Sequence, residues 1–421
     1  MTITAGLGGT LEDRGLRETS MRLAVGAALL LAALPAVMAL ANRSAPLVLA
    51  LAAALAAASV ASRVGWRGLG RVLAASLRSP LGFGTGAFVV LSLASCEWSA
   101  DPGETLRTLT QVAAPLIAGV LVLTLRARFA PRPASAAVAI GCLVAALICI
   151  VELRLGMPLR NALHLRAKAF EYNRPALTLL VLFWPLCAAA FEARRQPLPW
   201  LALAAITIAI WSSQSGTAMF AQAISVVAVA FAWRFPRGSL LVTALAVVLV
   251  FALIFAFGDI ALDLLPGETY RALAWTHAAD RVEIWRSFGA VMRMHPWLGI
   301  GFGTSATLAD TPVAGEVASE FRRMLAVGHP HNGYLQIGVE LGLAGCVIAL
   351  AVALTLLWSW RKLSGTLLTA RIGLFTMAAA TMLVGHGAWQ AWWIAVLFAG
   401  AAATRMVSGG DSDWKAGMDP P

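Results

Sequence analysis

The sequence predicts an all-α polytopic membrane protein of about twelve transmembrane helices. Three observations carry that expectation. Of the 421 residues, 59% are hydrophobic and only 13% are charged, where a soluble domain carries about 25% charged residues. Apolar runs of spanning length, about 20 residues, recur along the whole chain. The Lys and Arg residues collect on alternate connecting loops, as bilayer insertion requires. A mean hydropathy of +0.78 excludes an ordinary soluble enzyme, a disordered tail protein and a small disulfide-stapled domain.

The spans fall at about 21–42, 45–62, 80–97, 108–125, 133–153, 174–192, 198–212, 216–233, 239–258, 333–358, 366–385 and 388–405, the second and seventh being short. The first run reads as a span and not a signal peptide, because it is long, lacks a convincing cleavage site and is followed by eleven more. With the N-terminus placed in the cytoplasm, 19 of the 32 Lys and Arg lie on the inner side. Both termini are then cytoplasmic. The expected divisions are a tail at 1–20, spans one to nine over 21–258, an outer segment at 259–332, spans ten to twelve over 333–405, and a tail at 406–421. The net charge of +11 is thus a topology signal, and nucleic acid is not an expected partner.

Two outer segments break the charge rule. Residues 154–174 hold Arg154, Arg160, Arg166, Lys168 and Arg174; residues 259–332 hold Arg271, Arg281, Arg286, Arg293, Arg322 and Arg323. Insertion does not explain outward positive charge. An anionic ligand at that face does. The five cysteines, Cys96, Cys142, Cys149, Cys187 and Cys346, form no C-x-x-C pair and read as small core residues. No solenoid repeat and no six-plus-six division is visible.

The chemistry concentrates in the long outer segment. DRVEIWRSFGAVMRM at 280–294 repeats Ile284, Trp285, Phe288, Val291 and Met292 at spacings of three and four, the period of an amphipathic helix. Such a helix is expected to lie along the membrane surface, with Arg281 near its start, Arg286 a turn later and Pro296 ending it. GIGFGT at 299–304 matches no nucleotide fingerprint and reads as a tight turn in preference to a phosphate cradle. His331 stands where water gives way to span ten, followed by Asn332, Gly333 and Tyr334; Glu340 lies deeper, within the span. An ionisable residue there is a functional candidate, against a plain packing role. His329 and His331 alone do not complete a metal site, and none is expected. Arg174, before Pro175 at the mouth of span six, is a second cationic candidate.

Three stretches together resemble the O-antigen ligase and O-antigen polymerase family of bacterial membrane glycosyltransferases: NRPALTLLVLFWP, DRVEIWRSFGAVMRMHPWLGIGFGT and HPHNGYLQIGVELGLAG. They cover residues 170–350 by motif, and the third is the most specific. One departure stands out. Relatives often carry Ser-Arg where this chain reads SSQSGT, so that Gln214 replaces an arginine. That contact is then absent here or supplied by Arg166 or Arg271.

The resemblance implies a GT-C-type fold with the active site facing the periplasm, in the bacterial inner membrane. It implies a donor glycan on undecaprenyl diphosphate, moved to an acceptor hydroxyl without nucleotide sugar, metal or other cofactor. His331 is then the general base, with Arg174 and Arg281 stabilising the diphosphate. Arg166, Lys168, Arg271, Arg286, Asn332, Tyr334, Gln214 and Glu340 are the candidate substrate contacts. Partners are the donor, a glycan or lipid A–core acceptor, membrane lipid, and other polysaccharide-assembly proteins. The segment 259–332 carries eight acids against six Arg, which tilts the reading toward a polymerase over a ligase with its phosphate-rich acceptor. A protein acceptor is a third choice. A transporter or flippase of lipid-linked sugar is the reading from a different class, disfavoured because such proteins usually show repeat symmetry and midplane polar sites.

Overall fold

The computed structural model describes residues 11–124, 131–264, 267–268 and 278–408. The helices in chain order are α1 (Leu11–Leu40), α2 (Ala45–Leu77), α3 (Pro80–Ala94), α4 (Pro102–Leu123), α5 (Pro131–Arg154), the short α6 (Pro158–Ala162), α7 (Asn173–Glu192), α8 (Pro197–Ser212), α9 (Gly216–Arg234) and α10 (Pro236–Leu253). The segment that follows holds α11 (Phe257–Leu264), α12 (Ala278–Met294), α13 (Pro312–Glu316) and α14 (Ser319–Leu325). The chain closes with α15 (Gly333–Ser359), α16 (Gly365–Val384) and α17 (Ala391–Val407). No strand occurs among the described residues. The protein is an all-α polytopic membrane protein, as the composition requires.

Each of the twelve expected spans coincides with a helix. Ten of these are long and apolar enough to cross a membrane; α8 and α17 are shorter. At 1.5 Å per residue they reach about 24–26 Å, a little less than the roughly 30 Å hydrocarbon core. Several contacts between connections fit an alternation of the helices between two faces. On one face Asn42 Nδ2 donates to Glu171 Oε2 (2.5 Å), Trp98 Nε1 to the Leu298 carbonyl (3.1 Å), Thr307 Oγ1 to Asp101 Oδ2 (2.8 Å), and Arg154 Nη2 to Ser212 Oγ (3.2 Å). On the other, Thr366 Oγ1 donates to Glu192 Oε1 (2.7 Å) and Arg405 Nη1 to the Leu123 carbonyl (2.6 Å).

The buried apolar residues divide into two main units. One joins α1, α2, α4, α5, α7, α8, α9, α16 and α17, with α7 at its centre. The other joins α10, α12, the loops around α13 and the first half of α15. This second unit corrects an expectation. The apolar face of α12 does not rest on a membrane surface: Ile284, Trp285, Phe288, Val291 and Met292 are all core residues of the unit. The apolar positions do share one helix face, but periodicity does not say whether lipid or protein covers it.

Span ten is a broken helix. At Gly342 (φ 62, ψ −159) the helical backbone of α15 is interrupted. The freed polar groups are taken by residues 296–301. Ile300 N–H donates to the Val339 carbonyl (3.0 Å) and Gly301 N–H to the Glu340 carbonyl (2.9 Å). Leu343 N–H donates to Pro296 (2.7 Å) and Ala344 N–H to Trp297 (3.1 Å). Gly342 lies about 14 Å along the axis from the start of α15, so this loop enters the bilayer region, where irregular backbone persists only if protein satisfies it. The Gly-rich run is therefore a helix-docking loop. A Cβ on Gly299 (φ 66) would sit 2.4 Å from the Glu340 carbonyl carbon, and one on Gly342 2.4 Å from that of Trp297. Gly342→Ala and Gly299→Ala are each expected to lower the thermal unfolding midpoint of the purified protein, at a cost of about 1–3 kcal/mol. Gly315→Ala, whose added methyl meets nothing within 4 Å, is the control that should leave the midpoint in place.

Candidate functional site

The seam between the two units collects the charged side chains. Arg174 stands in the first turn of α7, followed by Pro175. Arg281 stands in the first turn of α12. His331 immediately precedes Asn332, the N-cap of α15, whose Oδ1 accepts from Leu335 N–H (3.0 Å). The α16–α17 connection contributes His386. Three helix N-termini, those of α7, α15 and α17, open on this region, and their unpaired N–H groups add positive potential.

The geometry links these groups. The guanidinium of Arg174 lies over the Trp392 ring (5.3 Å), and that ring meets His386 edge-on (5.5 Å). His329 and His331 are in edge contact, with ring centroids 4.1 Å apart. Arg174 and Arg281 both lower the His386 pKa by charge, while Arg281, His329 and His386 act on His331. Both arginines are half-buried. Among the described residues neither guanidinium has a hydrogen bond or ion pair. Half-buried cations left in this state are poised for an anion.

The histidines are held in defined protonation states. His331 Nδ1 lies 3.2 Å from the Gly385 carbonyl. A carbonyl only accepts, so Nδ1 carries the proton and Nε2 keeps its lone pair. The His331 N–H donates to His329 Nδ1 (3.3 Å), which puts the His329 proton on Nε2. Burial first, then the charges of His329 and Arg281, press the His331 pKa down to about 3. Burial and the Arg174 charge press His386 down to about 4. Burial also lowers His329 and Arg281. His331 itself adopts φ 50, a left-handed backbone sparsely used by non-glycine residues.

Of the other residues singled out from sequence, several serve the scaffold. Arg286 is engaged by Asp259 (3.0 Å), which also takes Arg293 (3.4 Å). Arg166 is exposed, 3.5 Å from Glu171 and over the Phe170 ring; Lys168 and Gln214 are exposed on the same face. Tyr334 is buried against Phe251 and donates to the Ala379 carbonyl (3.3 Å). Asn332 is a cap whose Nδ2 is buried without a partner. Arg271 lies outside the described residues.

Glu340 has a positioning place, with 0% of its surface exposed. Its carboxylate accepts from Gln336 Nε2 (2.8 Å), Gly303 N–H (2.6 Å) and Trp389 Nε1 (2.5 Å). Gln336 Oε1 in turn accepts from Ala388 N–H (2.7 Å). One carboxylate thus ties the docking loop, the broken α15 and the 385–390 connection that supplies Gly385 and His386. Glu340→Ala would strand three buried donors, each costing about 1–3 kcal/mol. A drop of that order in unfolding free energy is expected, measured against Glu320→Ala at the exposed start of α14.

Sequence reading missed His386, Arg43 and Trp392. Arg43, exposed after α1, reaches Arg174 with its field. The run GHGAWQAWW held a usable signal: by span alternation it falls on the face of His331. Among the described residues no three His, Cys, Asp or Glu side chains gather as a metal set.

No curated protein matches the chain. The family model described as O-antigen ligase matches residues 201–350. That segment runs from α8 into α15 and holds Arg281 and His331, but neither Arg174 nor His386. Over that segment, 150 of the 421 residues, this multi-pass membrane protein is similar to the O-antigen ligase family.

Proposed function

We propose that the protein is a metal-independent, inverting glycosyltransferase of surface polysaccharide assembly. It moves a glycan from undecaprenyl diphosphate to an acceptor hydroxyl at the periplasmic face of the inner membrane. The observation that carries this reading is the convergence of two unpaired, half-buried guanidiniums with an imidazole whose Nε2 lone pair is free. A sugar hydroxyl is a poor nucleophile near neutral pH. In the proposed step its oxygen attacks the anomeric carbon, and its proton passes to His331 Nε2. The bond from that carbon to the diphosphate oxygen breaks with its electrons on the diphosphate. Arg174 and Arg281, as planar forks, meet the charge that develops there. Attack opposite the leaving group inverts the centre.

A base with a pKa near 3 in the free protein is weak. Part of the depression is cationic in origin, so a bound diphosphate, as an anion beside the ring, raises it toward the working pH. The acid limb of kcat is therefore expected at higher pH than that of kcat/KM, since the first reports the complex and the second the free protein. Steady-state profiles on a lipid-linked donor check this; coincident limbs would remove the substrate-linked base.

The excess of acids over Arg in 259–332 favours polymerase over ligase. The deciding experiment incubates purified protein with synthetic lipid-linked repeat unit, with and without lipid A–core, in EDTA, and weighs the products. Lengthened lipid-linked chains support a polymerase, and glycan on lipid A–core a ligase. Loss of activity in EDTA overturns metal independence. Movement of the donor across a bilayer with no sugar joined overturns the transferase reading in favour of a flippase.

A further inference from the structure

The face opposite the site carries a feature that the transfer reaction does not use. Helix α2 is interrupted at Gly65 (φ 70, ψ 167). Residues 45–64 already rise about 30 Å, the thickness of the hydrocarbon core. The next helix, α3, starts back at Pro80, capped by Ser79 Oγ accepting from Gly82 N–H (3.0 Å). Residues 66–78 therefore join two spans whose ends share one membrane boundary, and they do so as helix. With the depth of the bilayer used up before Gly65, that helix runs along the boundary.

Its side chains are segregated for such a place. At about 100° per residue, Arg67, Arg71 and Arg78 fall within about 40° of one another. Trp66, Leu69, Leu73 and Leu77 centre about 135° away. Arg63 precedes the break. All four arginines are exposed, and none has a hydrogen bond or ion pair among the described residues. No acidic residue occurs in the sequence between Glu18 and Glu97. Trp66 is 71% and Leu77 62% exposed within the protein, where an interfacial aromatic and an acyl-facing Leu belong.

We propose that residues 66–78 form an interfacial anchor that binds the anionic phospholipid headgroups of the leaflet opposite the site. Trp66, Leu73 and Leu77 enter the acyl boundary, and the Arg67, Arg71 and Arg78 guanidiniums draw in phosphate-bearing headgroups. The anchor is independent of the transfer reaction.

The test uses full-length protein in nanodiscs of phosphatidylcholine, alone or with phosphatidylglycerol. Phosphatidylglycerol is expected to raise the unfolding midpoint and to be retained on the protein by native mass spectrometry. The triple variant Arg67→Gln, Arg71→Gln, Arg78→Gln should lose at least about tenfold in phosphatidylglycerol affinity, given roughly fivefold per charge near a membrane surface. The matching Lys triple should keep most of it. Equal phosphatidylglycerol retention by wild type and the Gln triple overturns the proposal. A second measurement does not depend on removing charge. Ala75 and Leu77 are both exposed in the fold, but lie on different sides of the helix. In nanodiscs the Ala75→Cys variant should react with a water-soluble maleimide at least tenfold faster than the Leu77→Cys variant. Equal rates would show that water reaches both sides, and the anchor would be wrong.

Discussion

Replacing His331 by Ala is expected to lower kcat on a lipid-linked donor by about 10²- to 10⁴-fold, the usual worth of a positioned general base. Donor binding should change little, because the diphosphate contacts are assigned to the two arginines. The reasoning rests on the tautomer. With Nδ1–H held by the Gly385 carbonyl at 3.2 Å, only Nε2 can take a proton. His331→Gln keeps a donor and acceptor pair but no basic nitrogen, and should be as slow as His331→Ala. An unchanged unfolding midpoint in both variants would separate lost chemistry from a lost fold. Near-normal turnover by either variant removes the base role. His386→Ala is the informative comparison. Its ring does not touch the Gly385 bond, so it should retain more activity than His331→Ala while shifting the acid limb.

The second large effect belongs to the guanidiniums. Arg174→Ala and Arg281→Ala should each cost about 10²–10³ in kcat, the range for removing one donor aimed at developing charge. Each should also weaken donor binding. Lys should restore the charge but not the fork, and so rescue only part of the loss. The two positions differ in a way the structure specifies. Arg281 is among the charges that depress His331, whereas Arg174 acts on His386. Arg281→Ala should therefore raise the pKa seen in the acid limb of kcat/KM, and Arg174→Ala should leave it nearly in place. If both variants bind and turn over the donor normally, the diphosphate clamp is wrong.

How far the sequence reached can be read from particular elements. The twelve helices were legible because hydropathy is a local property and each span carries its own signal. Even α8 and α17, short of full span length, were visible as apolar runs bounded by Pro197 or Gln390. Arg174, Arg281 and His331 were legible as cations and an imidazole out of place on the expected outer face. His386 was passed over, although its loop has the same parity. One histidine in a six-residue connection has no local pattern to mark it.

Other readings failed because they turned on partners. The period of α12 showed an apolar face, but burial against α10 and α15 depends on which helices neighbour it. The glycines at 299–303 indicated a tight backbone, yet only the break at Gly342 shows what that backbone approaches. Glu340 stood out as an ionisable group within a span. Its place as a fully buried knot between three segments follows from Gly303, Gln336 and Trp389.

By itself the sequence determined where the apolar helices lie, in what order, and which stretches between them gather unneutralised charge. Those properties depend on transfer free energies and charge counts summed along short stretches. Tertiary packing alone decided that Arg174, more than a hundred residues before Arg281, acts with it by charge on the same residue, His386. Contacts across such separations arise from helix–helix complementarity, a property of pairs of surfaces that no single stretch of chain contains.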